Sequence, residues 1–176
     1  MTLDGNNLQG KIPEDFCLLS GLEFVRFSGN EVLLPACLSQ LSKLQEIDFR
    51  FNDYAGKLPD DLHALPSLIS LQLSDNQFVG SINTLFPKTR DTGLLFPKLK
   101  TLNLANNNLS GEIPDSLLRR LPSLYTLILC GNPLLTGSVN EMCKGDDIGL
   151  IDVDYDIILC KCCSSGGSCP SSPLPV

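Results

Sequence analysis

The sequence predicts an α/β solenoid, a right-handed superhelix with one short parallel strand per coil on its concave face. Three observations predict it. Five segments superpose on one spacing: Leu22-x-x-Val25-x-Phe27-x-x-Asn30, Leu44-x-x-Ile47-x-Phe49-x-x-Asn52, Leu68-x-x-Leu71-x-Leu73-x-x-Asn76, Leu99-x-x-Leu102-x-Leu104-x-x-Asn107 and Leu124-x-x-Leu127-x-Leu129-x-x-Asn132. Their Asn residues, with Asn6 from a copy cut off at the start, follow at steps of 24, 22, 24, 31 and 25 residues. The centre of each segment alternates apolar and variable positions, the period of a strand with one buried face.

Each element follows from that spacing. The Leu-type side chains point inward and stack on those of the next coil, because one coil cannot bury its apolar face alone. The alternating centre becomes the parallel strand. The Asn closes it: an amide carries donors and an acceptor together, so it satisfies backbone groups left unpaired where the chain turns. Asn6, Asn30, Asn52, Asn76, Asn107 and Asn132 are therefore expected to form a structural ladder.

The second half of each repeat narrows the type. Asn7-Leu8-Gln9-Gly10-Lys11-Ile12-Pro13 recurs as Asp53-Tyr54-Ala55-Gly56-Lys57-Leu58-Pro59 and as Asn108-Leu109-Ser110-Gly111-Glu112-Ile113-Pro114. Here the chain resembles the plant-type leucine-rich-repeat family, whose extracellular receptor ectodomains and wall-enzyme inhibitors carry Leu-x-Gly-x-Ile-Pro. The resemblance covers residues 1–140. It implies a right-handed leucine-rich-repeat superhelix of about six repeats that serves recognition rather than catalysis. Gly permits the tight turn, and Pro starts the convex segment with a fixed φ. The stretches from Pro59 and Pro114 read as short helical turns with Asp or Ser near their start.

Three departures touch the convex side. Val32-Leu33-Leu34-Pro35 replaces the Gly-bearing turn, and Asn83 and Asn140 stand where Pro is expected. The 31-residue step also hides an insertion between Ile82 and Leu99. Such insertions map to loops that often bind. Its Phe86, Leu94 and Phe96 either present that loop or pack back on the convex side.

Eight cysteines sit at positions 17, 37, 130, 143, 160, 162, 163 and 169. Cys143, Cys160, Cys162, Cys163 and Cys169 follow the last repeat, and their density points to disulfides in an oxidising compartment. Plant-type arrays end in a cysteine-bearing cap. This tail is more similar to the cysteine-crowded ends of predicted microalgal leucine-rich-repeat proteins. Residues 141–169 are accordingly expected to form a cysteine-rich cap, and residues 170–176, Pro-Ser-Ser-Pro-Leu-Pro-Val, a disordered tail. The connectivity is not fixed by the sequence. Free thiols and a zinc site are the alternatives, the latter disfavoured because Cys-x-Cys-Cys lacks the usual paired spacing.

Little else in the chain carries chemistry. The one His, His63, lies on a convex turn several coils from the cap thiols, so no Cys-His or Ser-His-Asp arrangement forms. No phosphate-binding glycine loop or His-Glu-x-x-His occurs, and no cofactor is implied. Asp146, Asp147, Asp152, Asp154 and Asp156 do not match a calcium loop and read as a solvated cap surface. A net charge of -7 argues against nucleic-acid binding, since no basic stripe is present to neutralise phosphates, so nucleic acid is not an expected partner. No apolar run is long enough to span a membrane. Residues 1–11 lack the pattern of a signal peptide. Because no cap precedes the first strand, a fragment of a longer array is expected, with its signal peptide upstream.

The concave wall is the expected functional surface. By strand alternation Arg26, Glu46, Asp48, Arg50, Ser70, Gln72, Ser74, Thr101 and Asn103 should face solvent on rigid strands. They suit recognition of a protein, peptide or glycan. The expected function is a non-catalytic recognition module, extracellular or at the cell surface. The alternatives are an ectodomain fragment of a receptor-like kinase, and an intracellular scaffold. Asn108-Leu109-Ser110 supplies a glycosylation sequon.

Overall fold

The alternating centres of the repeats form strands of one parallel sheet, and that sheet is the concave wall. The structure is a computed structural model that describes residues 1–87, 95–113, 117–140, 149–154 and 158–160. In chain order the strands are β1 (Gln9–Lys11), β2 (Phe24–Arg26), β3 (Glu31–Leu33), β4 (Glu46–Asp48), β5 (Ser70–Gln72) and β6 (Val79–Ser81). They continue with β7 (Thr101–Asn103), β8 (Asn108–Ile113), β9 (Thr126–Ile128), β10 (Leu134–Ser138), β11 (Leu150–Asp152) and β12 (Ile158–Leu159). The concave sheet has the order β11-β9-β7-β5-β4-β2. Its register places Val25, Ile47, Leu71, Leu102, Leu127 and Ile151 in one inward row.

Two features of this sheet depart from expectation. The sheet does not stop at residue 140: β11 pairs in parallel with β9. Ile151 and Val153 stand 24 residues after Leu127 and Leu129, so part of the expected cap is another coil built on the same spacing. There is also a second parallel wall. The Leu-x-Gly-x-Ile segments pair coil to coil as a four-stranded sheet, β12-β10-β8-β6, and a two-stranded one, β1-β3. Gly10, Gly80, Gly111 and Gly137 all take positive φ, and at Gly137 close approach of the neighbouring coil adds to that requirement. Gly137 has φ 114°, and a Cβ there would lie 2.8 Å from the Ile113 carbonyl oxygen.

The convex side is made of short helical turns. Pro13 and Pro35 directly precede 3-10 helices Glu14–Leu18 and Ala36–Gln40, and helix α1 spans Leu117–Arg120. Proline spares these starts an unsatisfied N–H. Asn83 and Asn140 have that N–H, and in both the hydroxyl two residues earlier accepts it, Ser81 and Ser138, each at 3.2 Å. The insertion is tied in by its flanks. Phe86 and Phe96 are fully buried, so they pack inward; Leu94 lies outside the described residues.

The ladder has a repeating geometry. Asn107 Nδ2 donates to the Leu104 and Ala105 carbonyls of its own coil and to Leu73 of the coil before, at 3.0–3.1 Å. Its Oδ1 accepts the Phe78 N–H at 2.9 Å. Asn30, Asn52, Asn76 and Asn132 repeat the pattern, and all five are buried. Asn6 is exposed and bonds only the Leu3 and Asp4 carbonyls.

The residue before each ladder Asn adopts the left-handed conformation. Gly5, Gly29 and Gly131 do so at no steric cost, and Asp75 and Asn106 at little. Phe51, at φ 53°, is the outlier. A bulky residue there stores strain. Phe51→Gly should therefore raise unfolding free energy by about 1 kcal/mol. An unchanged or lower denaturant midpoint would argue that Phe51 packing outweighs its strain.

Candidate ligand-binding surface

The sheet register brings the expected surface residues together in columns across β2, β4, β5, β7 and β9. One column runs Phe24, Glu46, Ser70, Thr101, Thr126; the next runs Arg26, Asp48, Gln72, Asn103, Ile128. Arg26 and Glu46 lie in neighbouring coils and form a bidentate pair at 2.6 and 2.7 Å. Arg50 forks onto Asp48 of its own coil, its shortest contact 2.7 Å. In both arginines the hydrogen bond to the carboxylate pushes the guanidinium pKa up. Both stay charged and geometrically fixed.

Not all of these residues face solvent. Arg26, Glu46, Arg50, Ser70, Gln72 and Thr101 are half-buried. Asp48, Ser74 and Asn103 are buried, at 4%, 3% and 9% exposure, which corrects the expectation from alternation. Asp48 Oδ1 accepts the Arg50 N–H and Asn103 Oδ1 the Ala105 N–H, both at 3.1 Å. These short polar side chains fold back to close the strand end, as such residues do in turns. A change at Asp48 should thus lower stability, and it is unsuited to isolate binding.

The C-terminal end of the surface differs in character. Cys130 stands two residues after Ile128, the place of Arg50, Ser74 and Ala105 in the preceding coils, and is fully buried and disulfide-bonded. Cys160 is also disulfide-bonded, whereas Cys143, Cys162, Cys163 and Cys169 lie outside the described residues. Asp154 is not a solvated cap residue. Its carboxylate accepts the Gly131 and Asn132 N–H groups at 3.1 and 3.2 Å, and so ties β11's coil to the ladder.

Asp152 follows Ile128 in the same column. Burial, and then the neighbouring Asp154 charge, push its pKa above the usual carboxylate range. A raised folded pKa means that the folded state holds the proton more tightly. The resulting stability is fully present below the unfolded pKa and is lost as pH rises through the folded one. Asp152→Asn should therefore stabilise the chain at neutral pH and remove part of the gain seen on acidifying toward about pH 4. A denaturation series against pH checks this; a mutant that parallels the parent at every pH would refute it.

Sequence reasoning missed two features that the structure brings forward. Cys17 and Cys37 form a disulfide between the first two convex turns. Their signal was present: Cys17 follows Phe16, and Cys37 precedes Leu38, in turns that align on Phe16-x-x-Leu19 and Leu38-x-x-Leu41. The coil at β11 was hidden because Ile, Val and Asp replace Leu and Asn.

Known proteins share this arrangement. A family model for the Leucine Rich Repeat matches residues 98–119. Receptor-like protein 32 of Arabidopsis thaliana is 34% identical over 131 residues, 70% of this chain and 14% of its own. The BIR3–SERK2 complex from the same plant contains a chain 32% identical, with 77% of this chain and 71% of that one covered, at a TM-score of 0.58. The chain belongs to the plant-type leucine-rich-repeat family. The Arabidopsis receptor kinase HAESA, solved with the peptide hormone IDA and the co-receptor SERK1, is 28% identical over 80% of this chain and 22% of its own, at a TM-score of 0.59. The chain spans between 14% and 19% of the length of the first curated relatives that it matches.

Within this leucine-rich-repeat array, no group of three or more His, Cys, Asp or Glu could hold a metal ion among the described residues. No helix among them is long and apolar enough to cross a membrane.

Proposed function

We propose that this leucine-rich-repeat array is a non-catalytic recognition module that binds a peptide or protein on its concave sheet, outside the cell or at its surface. The observation that carries this reading is the polar concave wall. Glu46, Ser70, Gln72 and Thr101 stand on adjacent strands, half-exposed, beside the fixed Arg26–Glu46 and Arg50–Asp48 pairs. Side chains already ordered lose little entropy on binding. The disulfides at Cys17–Cys37, Cys130 and Cys160 support an oxidising location. A glycan ligand stays within the same reading.

A second reading is favoured by the receptor-kinase relatives: this array as part of a receptor-like kinase ectodomain. It places the same surface in a signalling protein and changes nothing in how the surface binds.

The test uses the immobilised full chain against a panel of short secreted peptides and leucine-rich-repeat ectodomains. For any binder found, Gln72→Arg with Thr101→Lys should weaken affinity about tenfold or more, a loss of about 1.4 kcal/mol, with an unchanged melting point. Replacing residues 88–94 by a Gly-Ser stretch should leave affinity intact. The reverse pattern would assign binding to the insertion and overturn the concave-face reading.

A further inference from the structure

Asn106, Asn107 and Asn108 follow one another and have three different fates. Asn106 takes the left-handed turn, and its Nδ2 donates to Asp75 Oδ1 at 2.8 Å. Asn107 is buried as a ladder rung. Asn108 opens β8 with an exposed side chain that has no hydrogen-bond partner among the described residues. Its backbone N–H donates to the Phe78 carbonyl at 2.9 Å and holds the residue in the ladder with β6. Ser110, two residues on, shares its face of the strand. Asn108-Leu109-Ser110 is the one Asn-x-Ser/Thr triplet in the sequence.

We infer that Asn108 is an N-glycan acceptor and that its sugar stands on the lateral wall of the solenoid, off the concave sheet. The inference rests on the extracellular reading above. In the transfer, Asn108 Nδ2 attacks the anomeric carbon of a lipid-diphosphate-linked oligosaccharide. The bond from that carbon to the phosphate oxygen breaks, the lipid diphosphate leaves with the electron pair, and the amide gives up one proton. The fold accepts the product. A substituent on any buried ladder Asn would have to displace core packing, whereas Asn108 lies in an exposed row with Val79 and Lys57. Val79 is 39% exposed and Leu134, paired with Ser110, is 54% exposed. A sugar at Asn108 covers this apolar pair on the lateral wall and leaves the concave columns free for a partner.

The full chain, placed behind a cleavable secretion leader and translated with microsomes, tests the assignment; protease protection marks the translocated product. The expected result is one larger species that an endoglycosidase returns to the unmodified mobility. Asn108→Gln and Ser110→Ala should each abolish the shift, and Ser110→Thr should keep it. The unglycosylated chain and Asn108→Gln should melt at the same temperature, because the Asn108 side chain has no hydrogen-bond partner among the described residues. A protected chain without a glycosidase-sensitive shift, or a shift that persists in Asn108→Gln, overturns the site. The extracellular reading is judged separately, by the thiol state of protein from its natural source, so failure of the one is distinguishable from failure of the other.

Discussion

Asn107→Ala is expected to lower unfolding free energy by about 3 kcal/mol, among the larger losses for a single side chain of this size. The amide makes four hydrogen bonds inside the solenoid. Three go to carbonyls that retain other donors. Leu73 still receives Asn76, Leu104 still receives Asn132, and Ala105 still receives the Asp75 N–H. The fourth leaves the Phe78 N–H buried and unpaired, which alone costs about 1–3 kcal/mol. Asn76→Ala should behave alike through Tyr54. A chemical denaturation series showing no loss for either variant would remove the ladder as a source of stability.

The shared carbonyls add a sharper expectation. Asn76 and Asn107 both donate to Leu73. Either single change leaves that oxygen with one amide donor, and the double change takes both. The double variant should therefore lose about 1–3 kcal/mol more than the sum of the singles, the cost of one orphaned buried acceptor. Asn30 and Asn132 share no partner, and their effects should add within about 0.5 kcal/mol. Strict additivity at the adjacent pair would mean that the rungs act one at a time.

The sequence made the solenoid legible because the same few positions recur in every coil, and each recurrence has one physical cause. The inward row of Val25, Ile47, Leu71, Leu102 and Leu127 and the five buried Asn rungs are where the spacing puts them. What escaped depends on contact between coils. Strand alternation alone marks Asp48, Ser74 and Asn103 as outward, yet all three are buried, and the Asp48 and Asn103 side chains turn back to accept backbone N–H groups. The second sheet was illegible for a similar reason: Leu-x-Gly-x-Ile signals a turn locally, and it becomes a strand only when the next coil offers a partner edge. The candidate surface is thus narrower than the sequence implies. Arg26, Glu46, Arg50, Ser70, Gln72 and Thr101 remain on it.

Replacing Cys17 and Cys37 together by Ser is expected to cost about 3 kcal/mol, the loop-closure value for a bridge of this span; the two cysteines are 20 residues apart. The loss should be local. In a one-dimensional array each coil contacts its neighbours alone, so a clamp between the first two convex turns cannot reinforce distant coils directly. The described disulfide cysteines fall at the flanks, Cys17 and Cys37 at one and Cys130 and Cys160 at the other, and the sequence has no cysteine from 38 to 129. Reduction of the native chain should accordingly raise amide exchange in the first two coils and around β11, while β5 and β7 keep their protection. Hydrogen exchange with and without a reductant reads this directly. Simultaneous loss of protection at β5 and β7 would show one cooperative unit, and the clamps would then be stabilising the whole solenoid rather than its ends. Eight free, reactive thiols in protein taken from its natural source would reach further and remove the argument for an oxidising compartment, because that argument depends on these bridges forming where the protein works.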